Sequence, residues 1–234
     1  YAVHAAYRLA TTTPPEPHRG TQVVRGSAAA LAAALVGLVV PVPTEGPSAR
    51  VMAVQGNVPR AGLDFNAERR QVLDNHVSVT ISGVERERAA GAPTPDLVVW
   101  PETASDIDPT RNPDAAAVIQ QAVEAAEAPI LLGGLAEEPA PYVSNVSFLY
   151  EPGAGLVGRY AKQHPVPFAE YIPNRSFWRI ISTQVDLLGT DMWAGPGPVV
   201  FRVPAASGGE VVAGPSICFE VAYDELVRAN VDLG

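Results

Sequence analysis

Apolar positions along the chain change their spacing several times, and each change marks an element. The stretch GSAAALAAALVGLVVPVPT, residues 26 to 44, carries no charge. At 1.5 Å rise per residue, a helix of about 20 residues crosses the hydrocarbon of a bilayer. A transmembrane helix is therefore expected over 23–43, with a buried core helix or a signal-peptide h-region as alternatives; an h-region is shorter and nearer the N-terminus. PTEGPS follows as a linker. Beyond it, valine-rich runs bounded by turn residues predict strands in RVMAVQGN (50–57), DLVVWPE (96–102), PILLGGL, YVSNVSFLYEP, LVGRYAK, PVVFRVP and EVVAGPSICF. Helical spacing covers 65–91, where Asn66 is a possible cap, and 113–127, where Asn112 precedes Pro113 at the first helical position. A last helix closes the chain in VAYDELVRANVD. Strands interleaved with helices predict an α/β layered domain over 44–234.

The segment FWRIISTQVDLLGTDMW, 177 to 193, fits neither period. It is either a core insertion or a loop that exposes Phe177, Trp178, Ile180, Ile181, Leu187, Leu188, Met192 and Trp193 to lipid or to an acyl chain.

Charge narrows the function classes. The net charge is −9 and no Lys/Arg run interleaves with aromatics, so no nucleic-acid partner is expected. Arg8, Arg19 and Arg25 stand before the uncharged stretch against a single Glu16, and the sequence after it is acidic. The positive-inside rule then places residues 1–22 as a cytoplasmic loop and the large domain outside. His4, His18, His76 and His164 lie far apart, with no HxxxH or CxxC spacing, so neither a metal nor another cofactor is expected.

Cys218 is the only cysteine, which excludes an internal disulfide. A lone cysteine after a valine-rich run is often core. Two other reactive groups change that reading. Glu102 ends DLVVWPE, Lys162 ends LVGRYAK, and in open α/β sheets the carboxyl ends of strands are where sites assemble. A thiol needs a base or a positive neighbour to act as a nucleophile. Glu102 can take the thiol proton, Lys162 can hold a developing oxyanion, and a helix starting at Cys218 would favour the thiolate.

VVWPE, GRYAKQHPVPFAEYIP and SICFE, in that order, resemble the Glu, Lys and Cys motifs of the nitrilase, or carbon-nitrogen hydrolase, superfamily. With VQGNVP and the uncharged stretch before it, the chain more closely resembles the apolipoprotein N-acyltransferase family over about residues 23 to 234. That resemblance implies a nitrilase-like four-layer αββα sandwich on the extracytoplasmic face of the bacterial cytoplasmic membrane. It implies acyl transfer from a phospholipid donor, through a thioester on Cys218, to the N-terminal amine of a diacylglyceryl apolipoprotein. Glu102 then maps to the general base, Lys162 to the oxyanion lysine, and Glu170 to a second glutamate supporting the lysine, its alternative being a solvated loop carboxylate. Glu220 either positions the nucleophile or is an ordinary acid of a first helical turn. Trp100 and Tyr171 line the pocket or pack as plain aromatics, with Phe177, Trp178 and Trp193 as further substrate-binding candidates. Against that family the chain stops soon after the cysteine helix, so the domain is expected to be incomplete at its C-terminus and the chain a fragment. Two other functions share the motifs: a small-amide hydrolase with the same triad, and a non-catalytic membrane-anchored module.

Overall fold

Runs of valine, leucine and isoleucine that alternate between two faces build the centre of the fold, because a strand covered on both sides has no polar face to keep. The structure, a computed structural model, describes residues 19–39, 46, 48–57, 65–206 and 208–234. The chain divides into two units, Tyr1–Ser48 and Ala49–Gly234.

In the first unit a helix, α1, runs over Arg19–Val39, with Val24, Leu31 and Leu35 exposed. It overlaps the span expected over 23–43, whose last residues lie outside the described ones. Alanine and glycine dilute the apolar content of α1, and Arg25 lies inside it. Among the described residues, no helix is long and apolar enough to cross a membrane.

In the second unit five strands form one sheet in the order β1 (Val51–Ala53), β2 (Leu97–Val99), β3 (Ile130–Ala136), β4 (Ser144–Glu151), β5 (Gly155–Ala161). The first three are parallel and the last two antiparallel. One face carries Val98, Ile130, Leu132, Val146, Phe148 and Tyr150. Against it pack α2 (Phe65–Ala89), through Leu73, Val77 and Val84, and α3 (Pro113–Ala126), through Ile119 and Val123. Each such side chain contributes about 1.5–3 kcal/mol when fully buried. Pro113 opens α3 as expected, but Asn112 makes no side-chain cap. Its amide instead donates to Asp108 O at 2.8 Å.

The opposite face carries Leu97, Leu149 and Tyr160 and meets a two-stranded antiparallel sheet, β6 (Phe201–Pro204) and β7 (Glu210–Ala213), through Phe201, Val203 and Val211. The last helix, α5 (Asp224–Leu233), touches the outer side of that small sheet, where Arg202 donates to Leu233 O at 2.8 Å. The layers therefore run helix, sheet, sheet, helix, the αββα order.

One expectation is corrected, and one of two alternatives is excluded. EVVAGPSICF is a strand only to Ala213, because Pro215 lacks the N–H a ladder needs, and Cys218 opens a 3-10 turn, Cys218–Ala222. The segment 177–193 is not a core insertion. It holds a short helix, α4 (Arg175–Ile181), and a 3-10 turn, Thr183–Leu187, neither with a buried residue. Arg175 organises it from the polar side by donating to Val185 O at 2.6 Å and Leu188 O at 2.9 Å and pairing with Asp191. Phe177, Ile180, Ile181 and Leu187 are left facing outward.

Candidate functional site

Glu102 is placed by the turn that follows β2. Trp100 N–H donates to Leu131 O, continuing the ladder, and its indole is 2% exposed, with Nε1 donating to Thr80 Oγ1 at 2.9 Å. Trp100 is thus a packed core aromatic that pins the start of the turn, the second of the two readings left open for it. The turn then lies directly on β3. A Cβ on Gly133 would come within 2.5 Å of Pro101 O and 2.6 Å of Glu102 Cα, so only glycine admits this approach.

Lys162 follows β5, and its side chain is 1% exposed. A buried ammonium must be paired, since desolvation penalises its charge. Glu170 Oε1 stands 2.8 Å from Nζ, and Glu102 Oε1 stands 3.8 Å away, an ion pair without a hydrogen bond. Both carboxylates are themselves oriented. Asn145 Nδ2 donates to Glu102 Oε1 at 2.7 Å, and Val166 N–H donates to Glu170 Oε2 at 2.7 Å. The loop carrying Glu170 is curled by Phe168, at a φ of 64° with its N–H on Tyr171 O at 2.7 Å, and Met192 N–H anchors Glu170 O.

Cys218 is exposed and adopts a φ of 55°, the left-handed region that costs an L-residue of order 1–3 kcal/mol. The turn is held from below by Glu220, which is fully buried. Its Oε2 accepts from Ile217 N–H at 2.8 Å, while Oε1 accepts from Gln163 N–H at 2.7 Å and His164 N–H at 3.1 Å. Tyr160 OH donates to the same carboxylate at 2.9 Å. One buried carboxylate thus ties the residue before Cys218 to the residue after Lys162. His164 adds a second tie by stacking on Tyr223, with centroids 4.0 Å apart. Burial, with the adjacent Glu220 charge, pushes the Tyr160 hydroxyl well above its ordinary value and keeps it a donor. The 3-10 turn is only five residues long and α5 begins at Asp224, so no extended helix starts at the thiol as expected.

Phe177 and Trp178 meet edge to face at 5.3 Å, and Phe168 meets Trp178 the same way at 5.3 Å, forming an outward aromatic cluster on the Glu170 side. Tyr171 is partly buried next to Glu170. Trp193 pairs with Tyr142 at 5.2 Å rather than with that cluster. Two residues escape the sequence reading. Asn145, on β4, holds Glu102 by its amide and Lys162 by its carbonyl, which accepts the lysine N–H at 2.9 Å. Its only sequence signal is polarity inside an apolar strand. Tyr160 gives no signal at all, because an aromatic in a strand reads as core.

The structure thus holds an exposed thiol on a strained turn, and a buried lysine ammonium paired with two carboxylates, the two joined through the backbone contacts of Glu220. A family model described as carbon-nitrogen hydrolase matches residues 50–234. The chain is 43% identical over 186 residues to an apolipoprotein N-acyltransferase of Mycolicibacterium smegmatis, covering 77% of this chain and 30% of that protein. To one of Sinorhizobium medicae it is 31% identical over 201 residues, covering 82% and 36%. The chain spans about a third of the length of these curated relatives. Among solved structures, an amidase from Nesterenkonia sp. AN1 in complex with acrylamide superposes with a TM-score of 0.52 at 14% identity, covering 83% of this chain and 64% of that one, a likeness of fold. With the family model matching residues 50–234, the chain belongs to the carbon-nitrogen hydrolase family.

Proposed function

We propose that the protein containing this chain is an N-acyltransferase that moves a fatty acyl group from a phospholipid to the N-terminal cysteine amine of diacylglyceryl lipoproteins. The observation that carries this reading is the buried Lys162 ammonium held by Glu102 and Glu170, with Glu220 tying the Cys218 turn to the lysine strand. The 43% identity to a relative named apolipoprotein N-acyltransferase supports the choice of acceptor.

In the first step Glu102 takes the Cys218 proton and Sγ attacks the sn-1 ester carbonyl. Lys162 faces the tetrahedral oxyanion, an interaction worth about 10²–10³ in rate. The ester C–O bond breaks, Glu102 returns the proton to the leaving oxygen, and a lysophospholipid departs. In the second step the acceptor amine attacks the thioester, Glu102 takes the amine proton, the C–S bond breaks and the thiol is restored. Glu170 aims Lys162, and Glu220 positions Cys218. Phe177 and Trp178, with Tyr171, receive the acyl chain, while Trp193 borders the pocket from the Tyr142 side. The protein sits at the cytoplasmic membrane, catalytic domain outside. The outward Phe177, Ile180, Ile181 and Leu187 support a lipid-facing rim.

The test is to incubate the full-length protein in detergent with phosphatidylethanolamine and a diacylglyceryl cysteine peptide. Equal yields of lysophospholipid and N-acylated peptide, both lost in Cys218→Ala, are expected. Ammonia release from small amides without any peptide acylation would select hydrolysis instead.

A further inference from the structure

The outward flap after the Glu170 loop, made of α4 and the 3-10 turn Thr183–Leu187, buries no side chain of its own, so apolar packing does little to fix it. Polar contacts hold it instead. Arg175, with its side chain 21% exposed, spreads its guanidinium over three acceptors: Val185 O at 2.6 Å, Leu188 O at 2.9 Å and the Asp191 carboxylate. A planar fork of donors can serve such a set, and a lysine ammonium cannot serve all of it in the same way.

What Asp191 is joined to sets the consequence. Its Oδ1 also accepts from Ile172 N–H at 3.0 Å, two residues beyond Glu170, and its backbone O accepts from Val143 N–H at 3.3 Å. Met192 N–H then donates to Glu170 O at 2.7 Å, and Gly195 N–H donates to Lys162 O at 2.7 Å. A Cβ on Gly195 would collide with Ala161 O, so this stretch meets the strand end bearing the lysine backbone to backbone. Residues 191–195 therefore form one strut. The flap's arginine is bonded to one end, Lys162 to the other, and Glu170 between them.

We propose that Arg175 is a positioning residue for acyl transfer. Through Asp191 it fixes the place of Glu170, and so the aim of Lys162, while the same side chain holds the flap that faces lipid. Contact of lipid with the flap and the aim of the lysine at the oxyanion are thereby coupled. The lipid side of this coupling rests on the acyltransferase reading; the strut from Arg175 to Lys162 does not.

The experiment uses the full-length enzyme in detergent with two donors. One is phosphatidylethanolamine in mixed micelles, read as lysophospholipid release. The other is water-soluble p-nitrophenyl acetate, whose acetyl group passes to Cys218 Sγ as nitrophenolate leaves. Urea midpoints are measured alongside and rates are read well below them, so that folded protein alone is compared. Arg175→Gln and Asp191→Asn are each expected to slow acylation by both donors roughly tenfold or more, with kcat for the lipid falling by more than KM rises, as displacement of a reacting group by ~1 Å does. The double variant should be no slower than the slower single one, because both residues act along one path. Arg175→Lys, which keeps a charge opposite Asp191, should recover part of the rate. If Arg175→Gln does not fold, Asp191→Asn decides by the same rates. Parental rates with p-nitrophenyl acetate overturn the proposal, even where lipid turnover is slower, since Arg175 would then only seat the lipid. A double variant whose losses multiply overturns it as well. Absence of lysophospholipid from the wild type contradicts the acyltransferase reading, while the p-nitrophenyl acetate rates still decide the strut.

Discussion

Lys162 Nζ stands 2.8 Å from Glu170 Oε1 with the lysine side chain 1% exposed, so this ammonium has left water and depends on protein carboxylates. Removing one partner of such a pair costs about 3–5 kcal/mol, because the other charge stays buried. Glu170→Ala should fall at the lower end of that range, since Glu102 remains 3.8 Å away. Lys162→Met should abolish turnover while Cys218 still labels slowly with a maleimide. Urea denaturation and acylation rates check the two effects separately; a Glu170→Ala variant as stable as the parent would contradict the pairing.

Glu220 holds the cysteine turn through Ile217, Gln163, His164 and Tyr160. Hydrogen bonds to a charged group contribute about 1.5–3 kcal/mol each when buried. Glu220→Gln, which trades one acceptor oxygen for a donor, should lower stability by several times more than Tyr160→Phe, which deletes one donor. It should also slow Cys218 acylation, because the turn is no longer fixed to the lysine strand. Equal stabilities of the two variants would show that the carboxylate is not the hub.

Strain at Cys218 makes a separate prediction. At a φ of 55° glycine is at ease and a β-branched residue is not. Cys218→Gly should be as stable as the parent or up to about 1 kcal/mol more stable, although inactive, while Cys218→Val should lose about 1–3 kcal/mol. A valine variant matching the parent in denaturant midpoint would argue that the turn is relaxed.

His76 sets a pH dependence of stability. It is 2% exposed beside Trp100, and burial lowers its pKa from 6.5 despite the hydrogen bond to Val72 O. Between the lowered folded value and 6.5 the unfolded chain binds more protons than the folded one, so stability falls as pH drops through that window. The urea midpoint should decline from pH 7 to pH 5, and His76→Gln should flatten that part of the slope. A slope identical in the variant would assign the acid sensitivity to other groups.

How much of this was legible in the sequence follows from which interactions are local. Valine-rich runs between turn residues located β2, β3, β4 and β5 to within a few residues, and Pro113 marked the start of α3. The strand before Cys218 was drawn too long because GPSICF continues an apolar run, and only the backbone accounting at Pro215 ends it. For Glu220 the sequence leaves open a positioning role or an ordinary acid of a first helical turn, since its partners Tyr160, Gln163 and His164 lie nearly sixty positions away in sequence. Asn145 was hidden for the same reason: its use depends on a neighbouring strand's turn. The aromatic candidates split by burial, with Trp100 in the core and Phe177 outside, a difference that residue type alone does not carry.

The central claim is that Cys218 carries the acyl group between donor and acceptor. Full-length protein quenched in acid after mixing with phosphatidylethanolamine, without acceptor, should yield a Cys218 peptide heavier by one fatty acyl group and released by hydroxylamine. An unmodified Cys218 peptide, while the same preparation goes on acylating the acceptor peptide, would contradict the claim.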